Sequence, residues 1–213
     1  MKTKKQALLF SLCAVLLVAV SVFGTVAYLT AQKQVVNTFT VGAVEIQLDE
    51  QKVDAYGKAD GTERVTANEY KLLPGHTYTK DPTVTVLQGS ESAYIKMTVT
   101  FTKSAELNAV FAPEGADMTT IFGGYDGATW IYKGNTEDAS ANTRTYEFWY
   151  KDTVAASEAD VCLSPLFSSI TVPGSIDGAQ LQTIRGMTIT VNAYAIQADG
   201  FATADAAWKA FGK

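Results

Sequence analysis

Between Ala93 and Thr102 the side chains alternate without interruption, with Ile95, Met97, Val99 and Phe101 on one side and Tyr94, Lys96, Thr98 and Thr100 on the other. A period of two places every second residue on the same face of a β-strand, so this segment is a strand with one face on a core. Gly186 to Ala198 repeats the pattern, with Met187, Ile189, Val191, Ala193 and Ala195 together. There Tyr194 and Ile196 make the opposite face apolar as well, which predicts a central strand. Thr38 to Leu48 alternates through Phe39 and Val41, slips at Gly42-Ala43 and resumes with Val44, Ile46 and Leu48, the mark of a bulge or bend. Shorter strands are predicted over Thr83 to Leu87, Thr129 to Tyr132, Thr143 to Lys151 and Phe167 to Val172. Asp-Gly pairs at 60–61, 126–127, 177–178 and 199–200 predict tight turns. Seven or more short strands point to an all-β antiparallel sandwich, a single domain over residues 43–213. Two helical pieces interrupt it: Ser104 caps a turn through Val110, and Thr203 caps Ala204 to Phe211. The polar stretches Asp49 to Glu69 and Gly134 to Asn142 read as loops or a hairpin.

The amino terminus has a different character. Lys2, Lys4 and Lys5 precede a run from Gln6 to Gln32 with no charged side chain, a basic region followed by an apolar one, as in an export signal. Thr25 and Ala27 are the small residues that a signal peptidase reads, so cleavage is expected after Ala27, with Tyr28 as the new first residue. Residues 1–27 are then a signal helix and 28–42 an extended segment. An uncleaved membrane anchor is the alternative, since the uncharged run through Gln32 just reaches bilayer length. Removing residues 1–27 takes away three of 17 basic residues and none of 22 acids, leaving 14 against 22, a net charge of −8. The remaining Lys and Arg are scattered singly, so neither nucleic acid nor an anionic membrane surface is an expected partner. Cys13 leaves with the signal, and no small residue precedes it as a lipid-attachment motif requires. Cys162, between Val161 and Leu163, reads as a buried small hydrophobe.

Catalytic signatures are sparse. His76 is the one histidine, which excludes a multi-histidine zinc site and the H-E-x-x-H helix. It lies in the turn Leu73-Pro74-Gly75-His76-Thr77, and no G-x-S-x-G elbow, phosphate loop, EF-hand loop or C-x-x-C pair accompanies it. The same turn departs from a sortase signal in the placement of its Thr and Gly. The carboxylates lie in polar loops with no ligand spacing, so no catalytic residue or cofactor is expected and a metal stays unassigned. Tyr146, Phe148 and Tyr150, alternating with Glu147 and Trp149, serve a core and cross-strand pairs, or less simply a carbohydrate platform.

The segment Ser21 to Glu50 resembles the start of the camelysin and TasA-like family of Gram-positive secreted proteins, through Ala27-Tyr28-Leu29-Thr30 and then Asn37-Thr38-Phe39-Thr40-Val41-Gly42. Leu72 to Val86, Gly89 to Phe101 and Ile189 to Trp208 are similar too. The resemblance implies a jelly-roll-like sandwich, processing by a SipW-type signal peptidase, contact with the membrane only before cleavage, and deposition at the cell surface or in a biofilm matrix. It also implies fibres in which one subunit donates an N-terminal strand to another copy or to a related matrix protein. Carried onto this chain, the donor is roughly Tyr28 to Val41, with Val35, Asn37, Phe39 and Val41 sharing parity. Pairing of that segment within its own subunit is the alternative. The metalloprotease label attached to camelysin finds no zinc-binding pattern here, so a structural rather than enzymatic role is expected. A secreted metalloprotease and a monomeric adhesin are the rival readings.

Overall fold

The computed structural model describes residues 6, 10–17, 42–110 and 122–211. Residues 10–17 are helical, and no helix among the described residues is long and apolar enough to cross a membrane. The chain divides into two compact units, Met1–Val41 and Gly42–Lys213. The signal-peptidase residues Thr25, Ala27 and Tyr28 and the strand residues Val35, Asn37, Phe39 and Val41 lie outside the described residues.

The second unit is an antiparallel β-sandwich with short helices. Its strands are β1 (Ile46–Val53), β2 (Ala59–Val65), β3 (Thr77–Thr79), β4 (Thr83–Val86), β5 (Ser90–Thr102), β6 (Trp130–Asp138), β7 (Thr143–Tyr150), β8 (Val154–Ala156), β9 (Val161–Cys162), β10 (Ser169–Thr171) and β11 (Ile189–Gln197). Helices α1 (Ser104–Val110), α2 (Gly178–Thr183) and α3 (Ala204–Ala210) complete it. One sheet has the order β2-β1-β4-β9; the larger has the order β11-β5-β7-β6, with β8 beside the start of β5; β3 and β10 form a small third sheet.

The alternation in β5 organises the core. Ala93, Ile95, Met97 and Val99 are fully buried and Phe101 nearly so; Tyr146 and Phe148 of β7 and Trp130 of β6 join them. From the facing sheet come Val84 and Val86, opposed across the strand pair by Leu48 and Ile46. Phe122 stacks on Phe167 at 4.5 Å and meets Tyr146 and Phe148 edge-on, closing the layer between the sheets. A second cluster of Tyr78, Val110, Val172, Ile176 and Ile184 fills one end, beneath α1 and α2.

Several expectations need correction. Gly186 to Ala198 holds a strand, but β11 is at the end of its sheet among the described residues, not in the centre. Its second apolar face is covered by a helix: Phe211 meets Tyr194 at 5.6 Å, and Trp208 meets Trp149 of β7 at 6.2 Å. Cys162 is exposed, because Val161 and Leu163 take the inward direction and alternation turns the residue between them outward. Of the two readings of Gly134 to Asn142, the hairpin holds and the loop does not, since β6 continues to Asp138 in antiparallel pairing with β7. Within Asp49 to Glu69, β1 and β2 form a hairpin; its turn lies at residues 54–58 around Gly57 (φ 76°), while Asp60-Gly61 falls inside β2. Asp177 is not a turn residue but the N-cap of α2, in a reciprocal capping box with Gln180. At α1 the Asn142 side chain accepts from Ala105 N–H at 3.0 Å, the capping bond assigned to Ser104 from sequence. Thr203 caps α3 as expected, accepting from Ala206 N–H.

Helix α3 is too short to be stable alone and depends on what it docks against. The Lys96 ammonium, on the outward face of β5, lies 4.6 Å from the Trp208 ring, 5.3 Å from Tyr194 and 5.5 Å from Phe211, with Glu147 at 3.7 Å. Cation–π contacts of this partly desolvated kind are worth about 1–2 kcal/mol together. Lys96→Ala is expected to lower stability to chemical denaturation by about that amount and to weaken the near-ultraviolet signal of Trp208, while Lys96→Arg keeps most of both.

Candidate assembly groove

The end position of β11 leaves a row of backbone groups facing outward. Thr102 N–H donates to Thr188 C=O at 3.1 Å and Ala198 N–H to Ser92 C=O at 2.7 Å, so the even-numbered residues of β11 bond to β5. The odd-numbered residues Ile189, Val191, Ala193 and Ala195 therefore aim their N–H and C=O groups away from β5. No strand among the described residues pairs with that edge.

Beside it runs a groove of about 1190 Å³, between β11, β1, the segment after β2 and α2. Leu48, Val65, Leu72, Met187, Ile189 and Val191 give it an apolar lining. Its polar residues include an inward-facing ion pair. Glu50 shares the parity of Ile46 and Leu48 and so points into the sandwich, where Lys80 Nζ donates to it at 2.5 Å. Both residues are buried. Asn68 holds the pair in register: its amide donates to Glu50 Oε1 at 2.9 Å and to Gln51 C=O at 2.9 Å, while its oxygen accepts from Val53 N–H at 3.0 Å. Arg64 bridges Asp49 and Asp81, fixing β2 against β1.

Tyr70, also on the groove wall, donates its hydroxyl to Thr79 C=O at 3.1 Å. Burial pushes its phenol well above the ordinary range, and the nearby Glu50 and Asp81 carboxylates push it further.

The chain enters this unit at the neighbouring end. Ala43 forms a parallel bridge with Ser90, Glu91 N–H donates to Ala43 C=O at 3.0 Å, and the Ser90 hydroxyl bonds to both the N–H and the C=O of Glu45. Residues 42–44 thus run in the direction of β5, starting beyond the end of β11 rather than alongside it.

His76 Nε2 bonds to Tyr56 C=O at 2.6 Å and its ring packs on Tyr78 at 4.7 Å, a structural use of the histidine in the predicted turn. Among the described residues no group of three or more His, Cys, Asp or Glu side chains is close enough to hold a metal. Trp149 does not offer an open ring: Lys133 lies 4.0 Å over it, and its N–H donates to Glu147. Sequence reasoning missed the groove's polar residues because Glu50, Lys80, Asn68 and Tyr70 are scattered singly. The one available signal was the acid at Glu50, in phase with Ile46 and Leu48. No family model, curated protein or solved structure matches this chain.

A buried carboxylate left without its cation is costly, so Lys80→Ala is expected to destabilise the fold by about 3–5 kcal/mol in urea unfolding. The double replacement Glu50→Leu with Lys80→Met recovers most of that loss, since it removes both charges together. The raised Tyr70 phenol sets an alkaline limit. In the unfolded chain it loses its proton in the ordinary phenol range, whereas the fold holds it protonated to higher pH, so its contribution is fully present below that range and is lost progressively as pH rises from there through the higher folded value. Tyr70→Phe is expected to flatten the stability–pH curve above about pH 10.

Proposed function

We propose that this chain is a secreted structural protein of a cell surface or extracellular matrix, assembling by strand addition to the outer edge of β11. The observation that carries this reading is the juxtaposition of that edge, unpaired among the described residues, with an apolar groove. An added strand gains main-chain hydrogen bonds from the edge, and the groove receives alternate side chains, which supplies affinity and register together. The donor is Tyr28 to Val41 of another copy or of a related matrix protein, presenting Val35, Phe39 and Val41 to the groove. The path of residues 42–44, starting beyond the end of β11, favours donation outward over pairing within the same chain. The basic and apolar amino terminus supports export, and its junction motifs support kinship with the camelysin and TasA-like proteins of Gram-positive bacteria. Cleavage after Ala27 would then release the donor as well as the protein.

Ala193 isolates the edge from the fold. Its N–H faces away from β5, so proline there removes no bond to the described residues but denies one to an incoming strand. The chain beginning at Tyr28 is expected to form filaments visible by electron microscopy. Ala193→Pro is expected to remain folded by circular dichroism and to stay monomeric. Filaments from Ala193→Pro equal to those of the parent, or a parent that stays monomeric with residues 28–41 intact by mass spectrometry, would exclude this route.

A further inference from the structure

The outward face of the large sheet carries a second regularity. The registers of β11, β5, β7 and β6 place Thr190, Thr100, Thr145 and Thr136 in one row across four strands. The adjacent row is Thr188, Thr102, Thr143 and Asp138, with Thr188 placed by its bonds to Thr102. On the other side lie Asn192, Thr98 and Glu147. Eight threonines thus form one continuous patch; Thr136, Thr188 and Thr190 are exposed and the others half-buried.

Two properties distinguish this patch from ordinary solvated surface. The first is charge. The chain has 22 acids against 17 basic residues, yet within these three rows, among the described residues, only Asp138 and Glu147 are charged, both at the margin, with Lys96 beyond Thr98 on the side of Glu147. Both already have partners: Asp138 accepts from Ser140 and Ala141, Glu147 from Trp149 and Lys96. Depletion of charge at the centre of a patch is the compositional mark of an interface. The second is hydrogen bonding. Thr100 and Thr145 hydroxyls bond each other at 2.9 Å, Thr102 and Thr188 at 3.2 Å, and Thr188 N–H donates to the Thr102 hydroxyl at 2.9 Å. Hydroxyls satisfied sideways within their own sheet can be covered without orphaning donors, and their methyl groups then form the outermost layer.

We propose that this threonine face is a lateral contact, meeting the same face of a second copy across a two-fold axis wherever copies are held side by side. The size of the patch fixes the circumstances. With strands ~4.8 Å apart and same-face residues ~6.7 Å apart, three rows on four strands cover roughly 400 Å² per copy. That is about half of the ~800 Å² per partner in a standard stable interface. Free copies therefore remain unpaired, and copies arrayed in a filament or on a surface associate because many weak contacts act together. The inference rests on the strand-addition reading only for the natural source of the array.

The test replaces that source. The chain from Tyr28 to Lys213 with Cys162→Ser, tagged at its C-terminus, is concentrated on vesicles containing nickel-chelating lipid and oxidised mildly. Thr100→Cys, at the centre of the patch, is expected to give disulfide-linked dimers at about fivefold the yield of Ser157→Cys, an exposed control, and only when arrayed. Adding Thr145→Lys is expected to bring the yield down to that of the control. Equal yields from positions 100 and 157, or a yield unmoved by Thr145→Lys, overturn the proposal. Electron microscopy of the parent separates the two readings. Absence of filaments with the position-100 crosslink retained removes strand addition and upholds the lateral contact; filaments with the crosslink at control level do the reverse.

Discussion

The inner face of β5 is the constraint on which the rest of the molecule depends. Five residues at alternate positions, from Ala93 to Phe101, are buried, and β11, β7 and β8 all take their registers from that strand. A slip of one residue would turn Lys96 and three threonines into the core and Met97 and Val99 out of it. Every neighbouring strand is therefore specified twice, once by its hydrogen bonds and once by the apolar set it must present to the opposing Val84 and Val86. The outward face then follows without freedom. The same register that packs the core aligns threonines into rows at one end of the sheet and collects aromatic rings around Lys96 at the other.

Much of this could be read from the sequence, and the failures have a common physical form. Strands whose two faces differ in polarity, such as β5 and β7, announce themselves by alternation. Strands that carry polar residues on both faces, such as β2 and the far half of β6, are held by backbone bonds and ion pairs, which leave no period to read. Cys162 and β11 show the limit of judging burial by composition. Cysteine is commonly buried, but in a two-residue strand direction is decided by its neighbours, and Val161 and Leu163 had already taken the inside. For β11, apolar residues on both faces reported correctly that both faces are covered, but not that the cover on one is a seven-residue helix.

The groove was legible only in outline. An acidic protein that places a glutamate in phase with Ile46 and Leu48 must supply a cation nearby, yet nothing in the spacing identifies Lys80, thirty residues on, as that cation. The pair is an inefficient way to stabilise a sandwich, since hydrophobic replacements of similar volume commonly do as well. Its geometric demand is the more informative property. Asn68 and Lys80 must both reach Glu50, which fixes the segment after β2 as one wall of the groove and keeps the space beside β11 from collapsing onto the core.

The outward turn of Cys162 has a practical side. It lies on β9, at the end of the smaller sheet beside β8 and the β7 side of β5, whereas the groove borders β11 on the opposite side of that strand. In a chain that begins at Tyr28 it is the one thiol. A fluorophore or spin label attached there would ride on the rigid body of the sandwich without touching the groove or the threonine rows. The molecule thus carries its own attachment point for testing whether two copies lie side by side.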